Sequence, residues 1–214
     1  MKSRPRVLLA DDHRLVLEGL QRILEPEFEV VGQVEDGRTL LNLAQRLHPE
    51  VILLDVSMPL LNGIDAARQI ARVCPGIKLM MVTMHSDPRY VIEAFRAGAS
   101  GFVLKRSRPQ ELIHAIWTVL RGRPYVAPEL GIDAAGILEK VSRPDKTNMP
   151  ALTPREREVL QLVAEGRSSK DIAALLGISL KAVEFHRSKI RKRLGMKKTS
   201  ELTRYALDHG LVAQ

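Results

Sequence analysis

Over residues 5–121, short apolar runs alternate with stretches in which apolar residues recur every three or four positions. The runs Val7-Leu8-Leu9-Ala10, Glu29 to Val34, Val51 to Leu54, Leu79 to Val82 and Phe102 to Leu104 predict five strands. Helical patterns fall between and after them, near 14–25, 37–47, 64–73, 88–97 and 108–121. Strands alternating with helices predict βαβ units and a parallel sheet. Five of each in this length predict an α/β, doubly wound, flavodoxin-like domain with a five-stranded parallel sheet.

The pattern then changes. Gly122-Arg123-Pro124 ends the first domain, and Ser142 to Pro150 is polar and proline-containing. Between them Leu130, Ala134, Ile137, Leu138 and Val141 keep helical spacing, which predicts a short amphipathic linker helix. The expected domains are therefore 1–123, a linker at 124–149 and a small all-α domain at 150–214. In the last of these, Thr153 suits an N-cap, Pro154 the first helical position and Glu156 the reciprocal end of a capping box. Leu160, Val163 and Ala164 form an apolar stripe before Gly166. Ser168 or Ser169 opens a second helix carrying Ile172, Leu175 and Leu176. Gly177-Ile178-Ser179 supplies a helix stop and a new N-cap. The third helix sets Val183, Ile190 and Leu194 on one face, and Lys181, Phe185, Ser188 and Lys192 on the other, flanked by Glu184 and Lys189. Two helices joined by a glycine-containing turn, the second exposed and basic, predict a helix-turn-helix.

Charge sharpens this picture. From Lys181 to Lys198 there are eight Lys and Arg against one acid, Glu184. A solvated helix face mixes signs, so the imbalance points to phosphates, and double-stranded DNA is the expected partner. The chain's net charge of +8 is unevenly spread: residues 1–125 carry +3, and residues 151–214 carry +6 on half the length. The lone Cys74 excludes an internal disulfide framework and fits a reducing cytoplasm. No apolar run approaches a membrane span, Met1 to Arg6 lacks a signal-peptide core, and the six His show no metal-ligand spacing. A cytoplasmic protein without a membrane partner is expected.

The residues that follow each strand carry the chemistry of the first domain. The first strand runs into Asp11-Asp12, the third into Asp55, the fourth into Thr83 and the fifth into Lys105. In an open parallel sheet, ligands bind outside the carboxyl ends of the strands. Four strands thus deliver three carboxylates, a hydroxyl and an ammonium to one edge. Three close carboxylates cannot all stay ionised without a cation, and oxygen ligands of this kind suit Mg²⁺. No Gly-rich phosphate loop follows the first strand, which argues against a flavin or dinucleotide. With Mg²⁺ held by Asp11 and Asp12, Asp55 can act as a nucleophile and form an aspartyl-phosphate. Lys105 would balance charge on the phosphoryl oxygens, and Thr83 would hydrogen-bond one of them. A multiple-turnover Mg²⁺ phosphohydrolase shares this chemistry, but it needs a second aspartate two residues after the nucleophile, where Ser57 stands.

Both halves resemble a known family. Asp11-Asp12, Asp55 with Met58-Pro59 and Gly63, Thr83, Gly98-Ala99 and Phe102 to Lys105 resemble the receiver domain of bacterial response regulators. The stretch from Leu152 to Gly195 resembles the LuxR-type helix-turn-helix of NarL/FixJ-type members. The resemblance implies a two-component transcriptional regulator that is not an enzyme beyond its own phosphorylation and autodephosphorylation. Asp12, Asp55 and the Ser57 carbonyl would ligate Mg²⁺, and a sensor histidine kinase would phosphorylate Asp55. Thr83 and Phe102 would then act as the switch, shifting dimerisation and the exposure of the recognition helix. Phe102 stands where the family often has Tyr, and Arg106 where many receivers have Pro. Glu184, Phe185 and Ser188 would face base edges, while Lys181, Lys189 and Lys192 hold phosphates and Arg187 bridges to the backbone. His186 is expected to pack or to make a satisfied hydrogen bond. Ser169 replaces a frequent Asn, and Ala182 replaces a Thr that usually contacts phosphate. Leu202, Tyr205 and Ala206, on the last helix, would make the contact of a DNA-bound homodimer, although closing the domain core explains that helix equally well. RNA polymerase is a further expected partner. The alternative is an atypical regulator that binds DNA without phosphorylation and uses the receiver only to dimerise.

Overall fold

The computed structural model describes residues 3–142 and 152–212, which form two compact units. The N-terminal unit is a single parallel sheet of β1 (Arg6–Ala10), β2 (Glu29–Val34), β3 (Val51–Leu54), β4 (Lys78–Thr83), β5 (Gly101–Leu104) and β6 (Tyr125–Val126). Their order is β2-β1-β3-β4-β5-β6. Helices α1 (Arg14–Leu24), α2 (Gly37–Leu47), α3 (Gly63–Val73), α4 (Pro88–Arg96) and α5 (Pro109–Leu120) link the first five strands and follow the fifth. Strands β3 and β5 are buried at every position, as expected for strands covered on both faces. Val7, Leu9, Leu53, Met80, Val82 and Val103 pack with Leu17 and Leu24 of α1 and Leu112, Ile116 and Val119 of α5. Chain order reverses at β1, which lies between β2 and β3, so the ligand crevice belongs at the carboxyl ends of β1 and β3.

The strand count differs from the expected five. Tyr125 and Val126 add a sixth parallel strand, pairing with Gly101 and Phe102, and Ala127 N–H donates to the Phe102 carbonyl at 2.9 Å. Two residues are too few to show alternation, so no strand pattern is visible there. The Tyr125 hydroxyl donates to Glu111 of α5 at 3.1 Å. Burial, then this carboxylate, push its pKa up to about 12. The sheet therefore runs past the expected boundary at residue 123. Beyond a 3-10 turn at Pro128–Leu130, the linker helix α6 (Ala134–Ser142) packs against α4 in the same unit, with Ile137 fully buried. The expected boundary at residues 149–150 lies outside the described residues.

The C-terminal unit holds α7 (Pro154–Ala164), α8 (Ser169–Leu176), α9 (Leu180–Leu194) and α10 (Thr199–Asp208). Thr153 and Glu156 form the expected capping box on α7. Ser168, rather than Ser169, caps α8, with Asp171 completing a second box. Gly177, at φ 61°, ends α8 in the left-handed region that an L side chain resists, and Ser179 caps α9 two residues later. Val159, Leu160, Ile172, Leu176, Val183, Ile190, Leu202 and Ala206 form one core.

Candidate functional site

Backbone pairing brings the strand ends together. Ala10 lies opposite Leu54 on β3, and Asp55 N–H donates to the Ala10 carbonyl at 2.9 Å. Thr83 lies opposite Leu104, and Lys105 N–H donates to the Thr83 carbonyl at 2.8 Å. Asp11, Asp55 and Thr83 are all buried at this edge. Lys105 Nζ reaches across it, 2.7 Å from Asp11 Oδ2 and 2.8 Å from Asp55 Oδ2. The other Asp55 oxygen accepts from Val56 N–H at 2.6 Å, so both carboxylate oxygens are fixed. Gly63 permits this packing: a Cβ there would lie 1.8 Å from the Asp55 carbonyl oxygen, and its N–H donates to the Val56 carbonyl at 2.8 Å.

Burial pushes the Asp11 carboxyl above its usual range, while Lys105 pulls it back. Burial also disfavours the Lys105 ammonium, but its bonds to Asp11 and Asp55 outweigh that and raise its pKa. One ammonium thus balances two buried acids, and a further negative charge is left on Asp12. Asp12 is partly exposed and its Oδ1 meets His13 Nδ1 at 2.7 Å. Ligand atoms of Asp11, Asp12 and His13 all lie within 4.8 Å of one another. Carboxylate oxygens in excess of fixed positive charge fit a hard divalent cation such as Mg²⁺.

Thr83 and Ser57 meet at His85. The Thr83 hydroxyl accepts from His85 N–H at 3.3 Å, and the Ser57 hydroxyl lies 2.8 Å from His85 Nε2. The His85 ring packs on Tyr90 of α4, with centroids 4.4 Å apart. Phe102 is fully buried in β5.

On α9, Lys181, Glu184, Phe185, Ser188, Lys189 and Lys192 are all exposed. Phe185 is 56% exposed, and Lys189 Nζ stands 4.6 Å from its ring centroid, within cation–π range. Arg187 differs from these: it is half-buried and donates to the Ser169 hydroxyl of α8 at 2.9 Å. His186 packs half-buried beside Phe185, and its buried Nδ1 has no hydrogen-bond partner among the described residues, so the expected satisfied bond is absent at that atom. Of the three expected dimer residues, Leu202 and Ala206 are sealed into the domain core, at 1% and 0% exposure. They close the core and offer no contact surface, because α10 turns its apolar face inward onto α7. Tyr205 alone keeps an exposed part and stacks on His209 at 3.9 Å.

Two family models match: the response regulator receiver domain over residues 7–117, and the luxR family of bacterial regulatory proteins over residues 150–206. The transcriptional regulatory protein MctR of Rhizobium johnstonii is 39% identical over 218 residues, covering 100% of this chain and 99% of that protein. The response regulator UvrY of Escherichia coli K12 is 34% identical over 209 residues, covering 96% and 94%. The chain is a LuxR-type response regulator. Among solved structures, RcsB of Salmonella typhimurium superposes with a TM-score of 0.64 at 29% identity, over 97% of this chain and 99% of that one. An RcsB–DNA complex gives 0.56 at 29% identity, with the same coverage.

This response regulator belongs to the two-component systems and is a DNA-binding regulator of transcription. No helix among its described residues is long and apolar enough to cross a membrane. Sequence reasoning missed two of its contacts. The Ser57–His85–Tyr90 chain had one readable signal, a His two positions after the Thr that ends β4. The bond from Ser169 to the recognition helix had none, because it depends on how α8 crosses α9.

Proposed function

We propose that Asp55 of this response regulator accepts a phosphoryl group from a sensor histidine kinase, and that the modification controls DNA binding by α9. The reading rests above all on the Asp55 carboxylate at the switch point, flanked by a lysine and by further acids. In the transfer, an Asp55 oxygen attacks the phosphorus of the kinase phosphohistidine. The P–N bond breaks, and the imidazole leaves with that electron pair. Val56 N–H holds Asp55 Oδ1 against rotation, so the attacking group is already oriented. Lys105 already touches Asp55 Oδ2, and a small shift moves its ammonium onto the incoming phosphoryl oxygens. The Thr83 hydroxyl, on the next strand end, accepts a 3.3 Å bond from His85 N–H, which leaves its own proton to donate to the product.

Asp11, Asp12, Asp55 and the Ser57 carbonyl would hold Mg²⁺, which would screen the carboxylates and attract phosphoryl oxygens. Turnover ends with the modified protein, which is a signal rather than a released product. Phe102 is already fully buried in β5, so any response it makes to phosphorylation is a repacking of the surrounding core. On DNA, Lys181, Lys189 and Lys192 hold phosphates while Glu184, Phe185 and Ser188 face bases. A homodimer on paired half-sites fits this class, with Tyr205 the remaining candidate contact on α10. Intact-protein mass after incubation with Mg²⁺ and acetyl phosphate tests the acceptor. One phosphoryl adduct is expected on the wild type and none on Asp55→Asn; equal adducts on both would reject Asp55.

A further inference from the structure

The recognition helix carries a single acid, Glu184, among cations that suit phosphates. A flexible carboxylate there would swing to a neighbouring lysine or be repelled by the DNA backbone, and it would read nothing reliably. The structure supplies a restraint from the other helix. The Ser169 hydroxyl donates to Glu184 Oε1 at 2.5 Å and accepts from Arg187 Nη1 at 2.9 Å. A hydroxyl has one proton to give and lone pairs to receive, so both bonds form at once. Ser169 is the first residue of α8, held by the capping box of Ser168 and Asp171, so its position is fixed by the backbone. Glu184 and Arg187 stand one turn apart on α9, with the serine between them as the shared partner.

We propose that Ser169 is a positioning residue that sets base specificity by fixing the Glu184 carboxylate. This deepens, and rests on, the reading of α9 as the helix that faces bases. The tether engages Oε1 and leaves Oε2 to accept from an exocyclic base amino group, on cytosine or adenine in the major groove. It also prepays the rotamer entropy of a long side chain. The Arg187 guanidinium, joined through the same hydroxyl, offsets the carboxylate's repulsion from phosphate. Ser169 acts through Glu184 and touches no base itself.

The test is base preference, position by position, using the full-length chain with Mg²⁺ and acetyl phosphate on a pool of random duplexes. Wild type, Glu184→Ala, Ser169→Thr and Ser169→Val are compared; the last two share a shape and differ only in the hydroxyl. Glu184→Ala is expected to lose preference at one cytosine- or adenine-bearing position. Ser169→Val should lose it at that same position by roughly five-fold, the worth of one oriented contact, while Ser169→Thr keeps it. Affinity for unselected duplex and the melting temperature should match between Thr and Val variants. If Glu184→Ala loses the preference and Ser169→Val retains it, the positioning role is wrong while base reading stands. If Glu184→Ala retains it, or the wild type selects no sequence, both readings fall together.

Discussion

Lys105 Nζ lies 2.8 Å from the Asp55 carboxylate and is held there by a second acid, Asp11, at 2.7 Å. The lysine therefore has a structural duty before any phosphoryl group arrives. In Lys105→Met two buried carboxylates lose their shared counter-ion. Without Mg²⁺ the variant should lose about 3 kcal/mol of stability, the lower end of the cost of unpairing buried charge. Added Mg²⁺ should recover more stability in the variant than in the wild type, by the shift in urea midpoint. Equal Mg²⁺ effects would show that Lys105 does not balance this site.

Gly63 offers a purely steric check. An alanine Cβ would overlap the Asp55 carbonyl oxygen, and the obstacle is backbone rather than a yielding side chain. Gly63→Ala should cost about 2–3 kcal/mol through overpacking and displace the acceptor loop. Phosphoryl adduct formation should fall with it, whereas Gly19→Ala, inside α1 where a Cβ meets nothing within 4 Å, should leave adduct formation unchanged and add roughly 0.5–1 kcal/mol of helix stability.

The division of labour on α9 predicts different salt behaviour. Lys192→Ala should weaken specific and random duplexes alike and reduce the log–log salt slope by about 1. Glu184→Ala should leave that slope unchanged and relax sequence preference. Fluorescence anisotropy across a salt series separates the two, and equal losses on both DNAs for both variants would remove the distinction.

Asp171 predicts a pH dependence. Its hydrogen bonds from the Ser168 hydroxyl and N–H hold its folded pKa below the usual aspartate range. A depressed folded pKa means that the capping contribution is complete above the unfolded pKa, near 4, and disappears as pH falls through the lower folded value. The wild type should melt higher than Asp171→Asn at pH 7, and the gap should close towards pH 3. A constant gap would assign the difference to something other than the capping charge.

Much of this was legible in the chain. Val7 to Ala10, Val51 to Leu54 and Leu79 to Val82 read as buried strands because helices cover both faces of a parallel sheet and leave no polar alternation. The residues after those strands converge because in-register parallel pairing puts their ends at one edge. Tyr125–Val126 leave no trace in the hydrophobic pattern because a two-residue strand has no period. Leu202 and Ala206 fit a dimer contact and a core equally well by sequence, because one amphipathic stripe serves both, and only packing against α7 decides. The Ser169 bond is a tertiary contact over a separation of 15 residues, with no local signature.

Phosphorylation of Asp55 should control DNA binding. The most direct measurement is the affinity of the full-length chain for a selected duplex, with and without acetyl phosphate and Mg²⁺, beside Asp55→Asn. Binding should tighten on phosphorylation in the wild type alone, together with a shift from monomer to dimer in sedimentation. Unchanged affinity despite a full phosphoryl adduct would rule out this control and favour a regulator that binds DNA independently of phosphorylation.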